Sequence, residues 1–166
     1  YSIRPYKNHV LKSKIEINAV DYDLGRNGYA YFDTDTANYR ISGKPSVGNK
    51  GGTYRNDGVD IYEDEKPNEY YVGNFQEKEW MTYTLDVKKE GDYFVSLVYK
   101  SKETNTSITI STDQMDTYIK LPNSSNEVAW KYTSEQNINL KEGKVNLKIS
   151  VINGEVDLKK IVMRKS

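Results

Sequence analysis

The chain has 166 residues, with 24 basic and 24 acidic side chains, so its formal net charge is zero; this argues against a phosphate-facing positive field for nucleic acid and against a polybasic membrane anchor. Cysteine is absent, which removes disulfides, thiolate metal sites and a cysteine nucleophile but leaves the compartment open. No apolar run nears the roughly 18–20 residues of a membrane span, and the length suits one domain with a real core.

Residues 1–14 show neither strand alternation nor the apolar middle of a signal peptide. They read as an N-terminal extension or linker, and the chain as a mature fragment or an excised module. The single histidine, His9, falls in this stretch and reads as a solvated or packing residue. From residue 14 the pattern changes. Apolar and polar side chains alternate with period two over 14–20, the signature of a half-buried strand, and no helical stripe of period 3.6 occurs anywhere.

Residues 25–69 are different: rich in Gly, Asn, Asp and Tyr, with short apolar runs at 29–32 and 59–62. They read as long loops threaded by short strands, where function tends to sit in a β-sandwich. Alternation returns at 80–87, 93–99, 107–110, 144–151 and 156–163. The joints carry turn chemistry: Lys89-Glu90-Gly91-Asp92 and Lys141-Glu142-Gly143-Lys144 lead straight into strands, and Asn153-Gly154 is a strong hairpin signal. The fold class that follows is all-β, an antiparallel β-sandwich or jelly roll, occupying 15–166. Tyrosine is the favoured aromatic, at 15 against 3 Phe and 2 Trp, which suits half-buried strands with wet edges and leaves two or three rings that could be presented flat to a ligand.

An active site is hard to find. One histidine cannot build imidazole dyads or a histidine metal site. Two carboxylates would suffice for glycoside hydrolysis, but among 24 acidic residues some pair always looks suitable, and no acid/base constellation stands out. Asp33-Thr34-Asp35 has the look of a calcium loop without the further oxygens and terminal Glu of an EF-hand, so it reads as a solvated loop. Val47-Gly48-Asn49-Lys50-Gly51-Gly52 neither follows a strand nor opens a helix, which defeats a phosphate-cradle reading. No catalytic residue is assigned.

Several segments, taken in order, resemble the family 6 carbohydrate-binding modules, a jelly-roll group allied to family 35, closest to forms attached to agarases and other glycoside hydrolases. They are Asp21-Tyr22-Asp23-Leu24-Gly25, Gly28-Tyr29-Ala30-Tyr31-Phe32-Asp33-Thr34-Asp35, Gly51-Gly52-Thr53-Tyr54-Arg55-Asn56-Asp57-Gly58-Val59-Asp60-Ile61, Tyr71-Val72-Gly73, and Glu79-Trp80-Met81-Thr82-Tyr83-Thr84-Leu85-Asp86-Val87 leading to Gly91-Asp92-Tyr93, then Trp130 and the final strand. The resemblance implies a non-catalytic module of a secreted, periplasmic or cell-surface protein, with a polysaccharide or oligosaccharide as ligand and a catalytic domain in the same polypeptide. It implies sugar bound at one end of the sandwich between two aromatic platforms, with an Asn near the last strand; some relatives have a second site on a sheet face.

Carried onto this chain, the expected ligand-binding residues are Trp130, Asp157, Asn74, Tyr54, Phe75 and Arg55. Trp130 stands at the second platform, or else is a partly packed edge residue. Asn74 replaces the first aromatic, with Phe75 adjacent; Asp157 replaces the ligand-binding Asn, losing an N–H donor and adding charge. Tyr54 and Arg55 lie in the long loop region, and Arg55 equally suits pairing with Asp57 or Asp60. The family's structural calcium is expected to be missing, since Asn18, Val20 and Lys159 stand where its carboxylates would be, with Glu16 as a neighbour for Lys159. The alternative is an accessory domain packed on a catalytic domain, with sugar binding lost.

Overall fold

The computed structural model describes residues 3–34, 51–55, 57–101, 105–122 and 129–166. Among them are thirteen strands and no helix, in two sheets facing each other. One sheet holds β1 (His9–Leu11), β3 (Tyr31–Phe32), β6 (Trp80–Val87), β8 (Thr106–Ser111), β9 (Asp116–Leu121) and β12 (Gly143–Asn153). The other holds β2 (Lys14–Asn18), β4 (Ile61–Glu63), β5 (Tyr70–Gln76), β7 (Gly91–Ser101), β10 (Lys131–Tyr132), β11 (Gln136–Leu140) and β13 (Glu155–Lys165). Every named pairing is antiparallel except β1 on β6, which is parallel. The expected all-β sandwich is present.

Alternation explains the core. Met81, Tyr83 and Leu85 of β6 and Leu147 and Ile149 of β12 point inward from the first sheet; Val95, Leu97, Leu158 and Ile161 meet them from the second, all essentially unexposed. Each such aliphatic side chain contributes about 1.5–3 kcal/mol by leaving water. Asn153-Gly154 turns β12 directly into β13, with Gly154 at φ 83°, where an added Cβ would lie 2.5 Å from the Thr106 hydroxyl.

From Arg4 to Lys14 the chain is tied to the sandwich. His9 to Leu11 form β1, Leu11 is fully buried, and its carbonyl accepts the Lys88 N–H at 2.9 Å. His9 is buried too, with Nε2 3.1 Å from the Asp21 carbonyl. Three residues are too few to show alternation, which is why this edge strand is silent in the pattern. The last residue of Asp33-Thr34-Asp35, the first four of the 47–52 loop and Asn56 lie outside the described residues. Of the first motif, Thr34 gives both its N–H and its hydroxyl to Glu79.

Candidate functional site

Two β-bulges shape the outer face of the second sheet. Between Val72 and Phe75 of β5 lie two residues, Gly73 and Asn74, opposite the single Asp157 of β13. Asn74 takes a left-handed φ of 54°, a conformation Asn tolerates better than most residues, and its side chain is re-aimed as bulges do. Its amide donates to Asp60 Oδ2 at 2.9 Å and to the Tyr62 hydroxyl at 2.8 Å. The second bulge lies on β13 against β7, where Leu158 pairs with Tyr99 and Lys160 with Val98. Lys159 is the extra residue, and both lysines therefore escape the core while Leu158 and Ile161 stay in it.

The result is a groove of about 210 Å³ lined by Tyr62, Tyr71, Asn74, Lys100, Glu155, Val156 and Asp157. It is smaller than the ~300–1,000 Å³ of enclosed ligand pockets, as suits a shallow surface site. Its floor is the cross-strand row of Gly73–Asn74, Asp157 and Lys100. Gly73 is needed there: a Cβ would come within 2.5 Å of the Tyr62 ring. Tyr62 and Tyr71 are cross-strand partners whose rings stack at 5.6 Å between centroids, 26° apart. Trp130 stands edge-on to Tyr71 at 5.1 Å, and the Lys100 ammonium lies 4.6 Å from its ring centre. Burial, then the nearby Asp157 and Asp64 charges, raise the Tyr71 phenol, so it is protonated and able to donate at neutral pH. The groove thus offers flat aromatic surface beside two carboxylates, an ammonium and an amide, a combination matched to polyhydroxylated ligands with apolar faces.

Asp157 and Asn74 therefore line one groove, and Trp130 stands beside it through its contacts with Tyr71 and Lys100. The other three expected residues do not face it. Phe75 is in the core, 3% exposed, because the bulge ends at Asn74 and alternation resumes inward. Tyr54 gives its hydroxyl to Asp21 at 2.5 Å and packs between Tyr6 and Tyr70. Arg55 is buried, donating to the carbonyls of Val20 (3.1 Å), Tyr22 and Asp23 (3.1 Å), flanked by the Tyr6 and Tyr22 rings at 4.2 and 3.6 Å, with Asp57 3.4 Å away. It is a clamp on the 20–23 segment that follows β2. Sequence reasoning missed Tyr62, Tyr71, Lys100 and Glu155. The Tyr70-Tyr71 pair was their one visible signal, and its meaning depended on the bulge.

At the expected calcium positions Asn18 and Val20 carry no carboxylate, the Val20 carbonyl accepts from Arg55, and the Lys159 ammonium lies 2.5 Å from Asp64 and 3.0 Å from Glu69. Glu16 pairs with Lys160 instead of Lys159, because the bulge shifts which lysine faces β2. Among the described residues no three His, Cys, Asp or Glu side chains gather as metal ligands.

A second aromatic surface lies on the outer face of the other sheet. Phe32, Trp80, Ser150, Thr109 and Tyr118 form one in-register row across β3, β6, β12, β8 and β9. Phe32 and Trp80 stack with 24° between planes, Lys148 lies 4.1 Å over Trp80, and Tyr118 is 59% exposed.

With this geometry in place, the comparisons are informative. The model of the carbohydrate binding module (family 6) matches residues 50–165. Similar solved structures include the C-terminal CBM6 of LamC, a marine laminarinase from Zobellia galactanivorans (15% identity, TM-score 0.63, covering 92% of this chain and 99% of that one). Another is CsCBM6-3 from Clostridium stercorarium in complex with cellobiose (13%, TM-score 0.65, 96% and 98%). A third is an isomalto-dextranase from Arthrobacter globiformis T6 complexed with panose (14%, TM-score 0.58, 91% of this chain but 23% of the enzyme). At these identities the likeness is one of fold. No curated protein matches the sequence.

Proposed function

The chain belongs to the family 6 carbohydrate-binding modules, and we propose that it binds glycan, without catalysis, in the groove between Tyr62, Tyr71, Trp130 and Asp157. The observation that carries this reading is that Asn74 and Asp157, distant in sequence, line one groove with two stacked tyrosines, and that Trp130 packs edge-on against one of them, Tyr71. Pyranose C–H faces stack on such rings, while Asp157, Glu155 and Asn74 pair with hydroxyls. The Trp80 row is a second glycan-facing surface on this reading, supported by its in-register run of half-buried to exposed polar and aromatic side chains.

In this reading the module is metal-free and sits in a secreted, periplasmic or cell-surface protein alongside a catalytic domain; the isomalto-dextranase, a larger enzyme of which the matched part is a fraction, supports that setting. Its role is to raise the local concentration of polysaccharide at the tethered enzyme. Affinity electrophoresis against laminarin and soluble cello-oligosaccharides, the classes the neighbours' names suggest, is the test. Trp130→Ala is expected to weaken binding about tenfold, the loss of one stacking platform. Retention unchanged in Trp130→Ala, Tyr71→Ala and Trp80→Ala alike would refute glycan binding at both faces.

A further inference from the structure

Trp130 stands beside the groove, against Tyr71 and Lys100, in the segment before a two-residue edge strand. Its ring is held by residues distant in sequence. Its Nε1–H donates to Asp64 Oδ2 at 2.9 Å, and Asp64 sits in the turn between β4 and β5. The same oxygen receives the Lys159 ammonium at 2.5 Å, and Lys159 reaches on to Glu69 Oε1 at 3.0 Å, across the same turn. The Lys159 ammonium also lies 5.4 Å from the Trp130 ring centre. Lys159 and Asp64 are both mostly buried, at 12% and 13% side-chain exposure, so their attraction is screened less than that of a surface pair. Burial alone would raise the Asp64 carboxyl; hydrogen bonds from Lys159, the backbone and Trp130 outweigh it and hold the group below its ordinary value. The acceptor for the indole is therefore a carboxylate across the neutral range, and charge-assisted hydrogen bonds are the stronger kind.

Asp64, Lys159 and Trp130 itself lie outside the groove's lining, and Trp130 meets that lining through Tyr71 and Lys100. We infer that the Lys159–Asp64 ion pair is a positioning device: it fixes the Trp130 indole edge-on to Tyr71, so that glycan affinity depends on a charge pair that never touches the glycan. The inference rests on the glycan reading above. The bulge at Lys159 is what makes it possible, because regular alternation would not put Asp157, Lys159 and Lys160 all outside the core. One strand thus supplies a groove residue, Asp157, and two positions later the cation paired with the acceptor of the Trp130 indole.

The chain has two tryptophans, so its ¹H–¹⁵N spectrum has two indole cross-peaks, and the Trp130 peak is the one lost in Trp130→Phe. Asp64→Ala is expected to move that peak upfield, speed its exchange with water, and lower affinity for the best-retained laminari- or cello-oligosaccharide about tenfold. Lys159→Met is expected to do the same to a smaller degree, and Lys159→Arg to keep both the peak and the affinity. An unmoved Trp80 peak shows that the variants remain folded. The inference is overturned if the Trp130 peak stays in place in Asp64→Ala, or if it moves while affinity stays at the wild-type level. A wild-type chain that binds no oligosaccharide of the panel refutes the glycan reading instead, and the cross-peak then still decides whether the pair places the indole.

Discussion

Replacing Arg55 with methionine is expected to be among the most destabilising single changes in this molecule. Methionine keeps much of the stem volume but removes the guanidinium, leaving the carbonyls of Val20, Tyr22 and Asp23 without the donors they have now. A buried acceptor deprived of its partner costs about 1–3 kcal/mol. Three such groups set an upper bound near 9 kcal/mol, but relaxation and water entry reduce it, and severing a buried charge network costs about 3–5 kcal/mol. The lost contacts with the Tyr6 and Tyr22 rings fall within that range, and Asp57, at 24% side-chain exposure, recovers some solvation. A loss of about 4 kcal/mol follows, a fall of roughly 8–16 °C in Tm for a domain of this size. Chemical denaturation followed by circular dichroism measures it. Arg55→Lys should recover less than half, since an ammonium lacks the planar fork. A loss below about 1 kcal/mol would show that water can serve these carbonyls, and the clamp would be refuted. The wild-type transition is expected to be the same with added calcium and with a chelator; a stabilisation by calcium would overturn the metal-free reading.

Two other expectations are independent of that one. Gly73→Ala drives a Cβ into the Tyr62 ring, so it should cost about 1–3 kcal/mol of stability by overpacking and also weaken glycan retention, as the ring is pushed across the groove; a variant of wild-type stability and retention would mean the ring swings aside freely. Deleting residues 1–14 should lower stability by more than the ~2–5 kcal/mol of a Leu11→Ala cavity, because it strips β1 from β6 and part of β2 from β13; denaturant midpoints of the two variants decide it, and a deletion no worse than Leu11→Ala would restore the linker reading.

Long alternating runs carried the fold. The stretches at 80–87, 93–99, 144–151 and 156–163 became β6, β7, β12 and β13, which form the centre of the two sheets. Short or interrupted strands did not announce themselves. Tyr70–Gln76 forms β5 although Gly73 and Asn74 break its alternation, and Gln136–Leu140 forms β11 with only Ile138 and Leu140 facing in. The site was half legible for a related reason. The order of motifs pointed to Asn74 and Asp157, which line the groove, and to Trp130 beside it, whereas Phe75 faces the core because a bulge decides which of two neighbours faces out. Arg55 looked like a loop residue because nothing in a sequence says that three carbonyls converge on it. Periodicity records which way a regular strand faces; it is blind where a strand gains a residue, and both residues flanking Asp157 in the site argument, Asn74 and Lys159, sit at such places.

The two aromatic surfaces stand on the outward sides of opposite sheets, with the whole core between them. No straight segment of polymer can touch both. If each takes a glycan, the two belong to different chains or to a chain that doubles back, and the module becomes a rivet through a fibrous matrix. Its hold on a mesh would then exceed its hold on any soluble fragment of that mesh.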